Sequence, residues 1–150
     1  MSSFRSRFAV STAAVLALAA CGGADDAAPA ATADQATAAT AGGVTVVSPD
    51  EAAVTIEAAP DDLVILDIRT PEEFAEGHIE GATLIDFYRE DFAEQIAALD
   101  RDDPYVLYCR SGNRSQQARS LMAELGFTDV ADVDGGIVGW EAAGLPTVAG

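Results

Sequence analysis

The stretch "PYVLYCRSGNRSQQARSLMAELG" (residues 104–126) has the pattern of a strand, a tight turn and a helix. Its first part, Pro104–Cys109, is apolar almost throughout, which is typical of a strand buried on both faces of a parallel sheet. The turn "RSGN" follows, and apolar residues then recur at helical spacing from Arg114 to Leu125, before Gly126 as a stop. This order predicts a strand–turn–helix unit of an α/β domain.

Further apolar runs indicate the other strands. The run "LVILDI" is also apolar almost throughout, so it favours a second strand that is buried on both faces. The runs are Val44–Val47, Leu63–Ile68, Ala82–Asp86 and Thr128–Val133.

Helix signals lie between these runs. Ser48–Glu51 and Thr70–Glu73 each combine an N-cap hydroxyl, a proline at the first helical position and a glutamate three residues after the cap, which is a capping box. Later helices are indicated by an apolar face of Phe92, Ile96 and Leu99 and by the segment Gly135–Gly144. The alternation predicts an α/β domain over residues 44–150, with a mostly parallel central sheet and helices on both faces.

Cys109 stands at the carboxyl end of a predicted central strand, where open α/β sheets bind their ligands. Gly112 permits a left-handed backbone in the turn and Asn113 tolerates one, so successive N–H groups can point inward. Together with the N-terminus of the next helix, such a turn forms an anion-binding nest that favours a thiolate. The sequence therefore predicts a nucleophilic Cys109. The alternative is a buried apolar thiol, since free cysteine is often buried.

The distribution of charge supports an anion site at this turn. The chain has 25 acids against 8 bases, all arginine, and a net charge of −17, which disfavours binding to nucleic acid or to anionic lipid headgroups. No acid occurs from Pro104 to Ala123, yet Arg110, Arg114 and Arg119 lie there. This window is expected to attract a small anion. Ser115 could donate a hydrogen bond to the thiolate or cap the helix.

The N-terminal residues have the features of an export signal. Arg5 and Arg7 precede the apolar run Ala9–Ala20, which is short for a membrane span. "LAAC" (Leu18–Cys21) resembles the lipobox of bacterial lipoproteins. That resemblance implies a signal peptide over residues 1–20 and a lipid on the sulfur of Cys21. Ordinary secretion, with cleavage after "ALA", is the alternative.

Residues 21–43 contain no large apolar side chain, so we expect a flexible tether that cannot bury a core. The lipid on Cys21 would be the only membrane contact. It would hold the domain at the bacterial cell envelope, in the periplasm or otherwise outside the cytoplasm. An acylated Cys21 leaves Cys109 as the only free thiol, so no internal disulfide can form in that oxidising compartment.

The spacing of the loop discriminates between chemistries. Four residues separate Cys109 from Arg114, whereas cysteine phosphatases place five residues between the nucleophile and the arginine. The position that a phosphatase gives to arginine is Ser115 here. This smaller loop suits a persulfide better than a tetrahedral phosphate. Phosphatase or arsenate reductase activity is disfavoured by the spacing and by the absence of a resolving thiol.

Three ordered segments resemble the single-domain rhodaneses and cover about residues 44–148. "CRSGNRS" (Cys109–Ser115) resembles their active-site loop, and "LVILDIRTPEEFAEGHIEGATLI" (Leu63–Ile85) resembles their N-terminal signature. "DGGIVGWEAAGLPT" (Asp134–Thr147) resembles their C-terminal signature. The resemblance implies a three-layer rhodanese-like domain.

The resemblance also implies a sulfurtransferase. The Cys109 thiolate would take the outer sulfur of a small anionic donor such as thiosulfate and pass it from a persulfide to cyanide or a thiol acceptor. Arg114 would close the loop, and Arg110 would attract the donor and favour thiosulfate over mercaptopyruvate. The persulfide and the donor oxygens would be held by N–H groups of Arg110, Ser111, Gly112, Asn113, Arg114 and Ser115.

Other polar residues of the signatures are expected to be structural. We interpret Asp67 and Arg69 as a pair that shapes the floor of the site, and His78 as part of a turn. One histidine and one free cysteine make no credible metal site, and no cofactor is expected. A different class of function stays open: a low-turnover module that relays a persulfide or docks a partner in the cell envelope.

Overall fold

The computed structural model describes residues 43–58 and 61–150. The predicted signal peptide (residues 1–20), the predicted lipid-attachment residue Cys21 and the predicted tether lie outside the described residues, apart from Gly43. No helix in the described part is long and apolar enough to cross a membrane.

Strands and helices alternate through this part of the chain. The strands are β1 (Val44–Val47), β2 (Val64–Asp67), β3 (Thr83–Leu84), β4 (Pro104–Tyr108) and β5 (Asp129–Val133). The helices are α1 (Pro49–Ala58), α2 (Pro71–Glu76), α3 (Phe92–Ala97), α4 (Asn113–Leu125) and α5 (Gly136–Ala142).

The strands form a five-stranded sheet in the order β1-β5-β4-β2-β3, and every pair in it is parallel. This confirms the predicted α/β class, with a sheet that is wholly rather than mostly parallel. Because β4 pairs with both β2 and β5, its carboxyl end lies at the middle of one sheet edge. Cys109 follows β4 at that edge, where ligands of such sheets bind.

Side chains of β4 alternate between two cores, one on each face of the sheet. Tyr105 and Leu107 pack with residues of α3 and α4, whereas Val106 and Tyr108 pack with residues of α1 and α5. This alternation follows from the two-residue period of a strand, and it explains why the sequence of β4 is apolar at every position. The sheet therefore lies between two helical layers, as predicted.

The boundaries of several elements differ by one or two residues from the sequence-based predictions, and two of these differences are at β3 and α4. The predicted strand Ala82–Asp86 shortens to Thr83–Leu84, because β3 is an edge strand that pairs with β2 alone. Beyond it, Asp86 lies in a turn, where its Oδ1 accepts a hydrogen bond from the N–H of Tyr88 at 2.9 Å. The helix predicted from Arg114 begins one residue earlier, at Asn113.

Both predicted capping boxes are present. The hydroxyl of Ser48 accepts from the N–H of Glu51 at 3.3 Å, and the carboxylate of Glu51 accepts from the N–H of Ser48 at 2.8 Å. Thr70 and Glu73 make the same reciprocal bonds at the start of α2. The second box fixes the backbone beside the carboxyl end of β2, and Glu73 makes a further contact that reaches the Cys109 loop.

Candidate active site

Cys109 is the first residue after β4, and its side chain points to the α4 side of the sheet, where it is 1% exposed. The N–H of Gly112 lies 3.2 Å from Cys109 Sγ, and the hydroxyl oxygen of Ser115 lies 3.7 Å from it. The sequence left a choice between a nucleophile and a buried apolar thiol. The sulfur is buried against core side chains, and two polar groups of the following turn lie beside it.

The turn after Cys109 takes the shape that its glycine permits. Gly112 has a φ of 92°, in the left-handed region, and it is the N-cap residue of α4. Its carbonyl accepts from the N–H of Gln116 at 3.0 Å, so α4 begins directly above the sulfur. The positive end of this 13-residue helix therefore faces Cys109.

Arg114 is held by a contact that the sequence did not predict. Its two terminal nitrogens bind the two oxygens of Glu73 at 2.8 Å each, and its guanidinium lies 5.5 Å from the centre of the Tyr88 ring. The hydrogen bonds from Arg114 hold the pKa of Glu73 down at about 2. The pair ties α4 to α2 and balances much of the Arg114 charge.

The side chain of Arg110 is exposed beside a cavity of about 400 Å³. Other charged residues of this cavity include Glu76 and Glu141, and Ile137 and Val138 supply its apolar wall. Because Arg110 directly follows Cys109, the cavity gives a second small molecule room beside the loop. Ser111 and Asn113 are exposed on the same turn.

Asp67 and Arg69 are buried, 0% and 4% exposed, at the carboxyl end of β2. Arg69 donates to both oxygens of Asp67, at 3.0 Å from Nε and 2.7 Å from Nη2 to Oδ2, and also to the carbonyl of Gly77 at 2.6 Å. Its guanidinium lies 5.6 Å from the centre of the Tyr108 ring. The hydrogen bonds of this pair run to each other and to the backbone, in keeping with a structural role below the loop.

His78 lies in an isolated β-bridge rather than in the predicted turn. Its ring stacks on Phe74 with a centroid distance of 3.7 Å, and its backbone pairs with Val148 in an antiparallel bridge. Within residues 43–58 and 61–150, no group of three or more His, Cys, Asp or Glu side chains is arranged to hold a metal ion.

Asp132 is a buried acid that the sequence analysis does not assign to the site. It is 4% exposed, and its Oδ2 lies 3.2 Å from Nη1 of Arg119 on α4. Burial is the largest influence on its carboxyl and raises the pKa. The sequence predicts a strand over "TDVADV". Because side chains alternate along a strand, Asp132 shares a face with the buried Val130, and this spacing could have predicted that Asp132 is buried too.

Comparisons with known proteins agree with this geometry. The family described as the rhodanese-like domain matches residues 48–143. The thiosulfate sulfurtransferase GlpE of Pseudomonas aeruginosa (strain LESB58) is 44% identical over 78 residues, which cover 52% of this chain and 69% of that protein. Thiosulfate sulfurtransferase 16, chloroplastic, of Arabidopsis thaliana is 38% identical over 94 residues, which cover 56% of this chain and 78% of that protein.

Solved structures show the same likeness. A rhodanese-related protein from Thermoplasma volcanium superimposes with a TM-score of 0.61 at 30% identity, covering 70% of this chain and 98% of the other. A thiosulfate sulfurtransferase from Pseudomonas aeruginosa gives a TM-score of 0.57 at 28% identity, covering 70% of this chain and 19% of the other. The sequence match, the parallel sheet and the loop at the end of its central strand lead to one conclusion: this chain belongs to the rhodanese-like domain family.

Proposed function

We propose that this protein is a sulfurtransferase that moves a sulfane sulfur from a thiosulfate-like anion to a thiol or to cyanide, through a persulfide on Cys109. The observation that carries the proposal is the position of the sulfur, 3.2 Å from the Gly112 N–H and below the N-terminus of α4. Both features stabilise a negatively charged sulfur. The relatives named as thiosulfate sulfurtransferases support the same chemistry.

The loading step is a displacement at sulfur. The Cys109 thiolate attacks the outer sulfur of thiosulfate, the sulfur–sulfur bond of the donor breaks, and sulfite departs with the electron pair of that bond. A persulfide anion remains on Cys109, so the summed charge is the same before and after the step. Since the attacking group is a thiolate, the step needs no separate general base.

The discharge step reverses the roles. An acceptor thiolate or cyanide attacks the outer sulfur of the persulfide, and Cys109 leaves as a thiolate that the Gly112 N–H again stabilises. The cavity beside Arg110 provides room for the acceptor. Because Glu73 already engages Arg114, we assign the attraction of anions to Arg110 and to the N–H groups of the turn.

The proposal is tested on the wild-type protein with thiosulfate as the probe. We expect an added mass of about 32 Da, mapped to the Cys109 peptide, together with an equal amount of sulfite. Absence of both products with every sulfane donor tried would refute the proposal. An adduct that forms once, with no further turnover when cyanide or a thiol is supplied, would instead favour the low-turnover relay.

The location of this activity is a separate proposal. We propose that a lipid on Cys21 anchors the domain at the bacterial cell envelope, outside the cytoplasm, as the "LAAC" pattern indicates. In cells that express the full chain, we expect the protein in the membrane fraction and the Cys21→Ala variant outside it. Equal membrane recovery of the two forms would contradict the anchor and leave the sulfur chemistry untouched.

A further inference from the structure

The chemistry proposed above makes no use of Asp132, although this acid is buried close to the site. Oδ2 of Asp132 is paired with Arg119, but Oδ1 is fully enclosed and has no hydrogen-bond partner among the described residues. Buried polar atoms are nearly always paired, since the loss of water is otherwise uncompensated. A carboxylate left half-satisfied beside an active site calls for a functional explanation.

The register of the sheet places Asp132 on the same face as Cys109, on the strand next to β4. Asp132 on β5 is the direct partner of Leu107 on β4, and Cys109 lies two residues beyond Leu107, on the same face. Ser115 and Arg119 are four residues apart on α4 and therefore share the helix face that covers this part of the sheet. Arg119 binds the carboxylate, and Ser115, one turn nearer the start of α4, contacts Cys109 Sγ.

We propose that Asp132 is a positioning residue that sets the reactivity of Cys109 through the hydroxyl of Ser115. The inference rests on the proposed function, because it takes Cys109 as the nucleophile. Ser115 is fully buried and has one hydroxyl hydrogen, for which three acceptors compete. They are the Gly112 carbonyl at 3.2 Å, Cys109 Sγ at 3.7 Å and the Asp132 carboxylate, which lies near the hydroxyl without a formed hydrogen bond.

The charged state of Asp132 decides which way that hydrogen points. A carboxylate draws the hydrogen toward itself and leaves the Ser115 oxygen to accept from the Cys109 S–H, which favours the thiol over the thiolate. A neutral group at position 132 that donates to the Ser115 oxygen would leave the Ser115 hydroxyl hydrogen free to bond to Cys109 Sγ. That hydrogen bond favours the thiolate.

Other groups also act on the carboxyl of Asp132. Burial raises its pKa most, the Ser115 hydroxyl and Arg119 lower the pKa, and Asp134 raises it. The ion pair with Arg119 favours the charged form of Asp132.

This arrangement affects the two half-reactions differently. A sulfur that holds its proton more tightly is intrinsically more nucleophilic once ionised, but a smaller fraction of it is ionised, so the two effects oppose each other during loading. The same sulfur is a poorer leaving group when an acceptor removes the outer sulfur. Asp132 is therefore expected to slow the discharge of the persulfide.

The test measures the reactivity of the Cys109 thiol alone. The rate of its alkylation by neutral iodoacetamide is measured as a function of pH in the wild type and in Asp132→Asn. We expect the midpoint of this pH profile to lie lower in the variant by about one pH unit. In a Ser115→Ala background the same change should shift the midpoint by less than half as much. Asp129→Asn removes an equal charge at the other end of β5 and should leave the midpoint unchanged.

A second variant gives the same sign. Ser115→Ala removes the oxygen that accepts from the Cys109 S–H, and we expect the midpoint to fall. A folded Asp132→Asn protein with the wild-type midpoint would overturn the proposal, as would an undiminished shift without the Ser115 hydroxyl. If Asp132→Asn does not fold, an unchanged midpoint in Ser115→Ala overturns it. Alkylation needs neither donor nor turnover, so failure here is distinct from failure of the sulfurtransferase proposal.

Discussion

Cys109→Ser is expected to lower the release of sulfite from thiosulfate by at least about 10,000-fold, to the level of the reaction without protein. Serine keeps the shape of the side chain but not its chemistry. A hydroxyl is a weak nucleophile unless a base removes its proton, and the groups around Cys109 Sγ are a backbone N–H and another hydroxyl. Oxygen in place of sulfur also forms no persulfide, so the intermediate itself is lost.

The assay is sulfite release with cyanide as the acceptor, and thermal unfolding confirms that the variant is folded. Ser120→Ala is a matched control on the same helix, since Ser120 is exposed and its hydroxyl donates to the Gln116 carbonyl at 3.0 Å. We expect the control to keep wild-type activity. A Cys109→Ser protein that retains more than a trace of the activity would show that sulfur transfer does not pass through Cys109.

Much of the fold was predictable because its signals are local. The turn after Cys109, with a glycine that takes a positive φ, and the capping box of Thr70 and Glu73 each lie within a few neighbouring residues. Strands buried on both faces predict a parallel sheet. The strand order β1-β5-β4-β2-β3 is different in kind, because it depends on packing between segments far apart in the chain.

The candidate site divides in the same way. The sulfur, its loop and the acid-free window were visible in one segment, so the sequence could indicate an anion site there. The partners of that segment come from elsewhere. Glu73 lies 41 residues from Arg114 and already had a local explanation as a capping residue. Asp132 lies in a predicted strand among apolar residues, and its local sequence does not indicate that it is near Cys109. The pairing of β5 with β4 brings the two residues together.

Gly136→Ala is expected to lower the free energy of unfolding by about 3 kcal/mol or more and to displace the Cys109 loop. Gly136 has a φ of 57°, which a side chain resists. A Cβ there would overlap the carbonyl oxygen of Cys109 and lie 2.8 Å from that of Arg110. Both neighbours are backbone, so neither can swing aside as a flexible side chain would.

The turn between β5 and α5 also holds the Cys109 loop through two backbone hydrogen bonds. A loss of stability at Gly136 is therefore expected to affect the activity as well. The N–H of Ile137 donates to the Cys109 carbonyl at 2.9 Å, and the N–H of Val138 donates to the Arg110 carbonyl at 3.1 Å. A Cβ on Gly136 pushes those carbonyls away and weakens both bonds, so the sulfur loses its fixed position below the N-terminus of α4. Sulfite release should therefore fall in the variant even at temperatures where it remains folded.

Gly144→Ala is a control that measures the cost of a positive φ without the steric clash expected in Gly136→Ala. Gly144 also has a positive φ, 77°, but a Cβ there would meet no atom within 4 Å. Its expected cost is the backbone strain alone, about 1–2 kcal/mol, with unchanged sulfite release. Urea unfolding of the two variants side by side measures the difference. Equal losses of stability, with the activity of Gly136→Ala intact, would mean that the β5–α5 turn does not hold the catalytic loop.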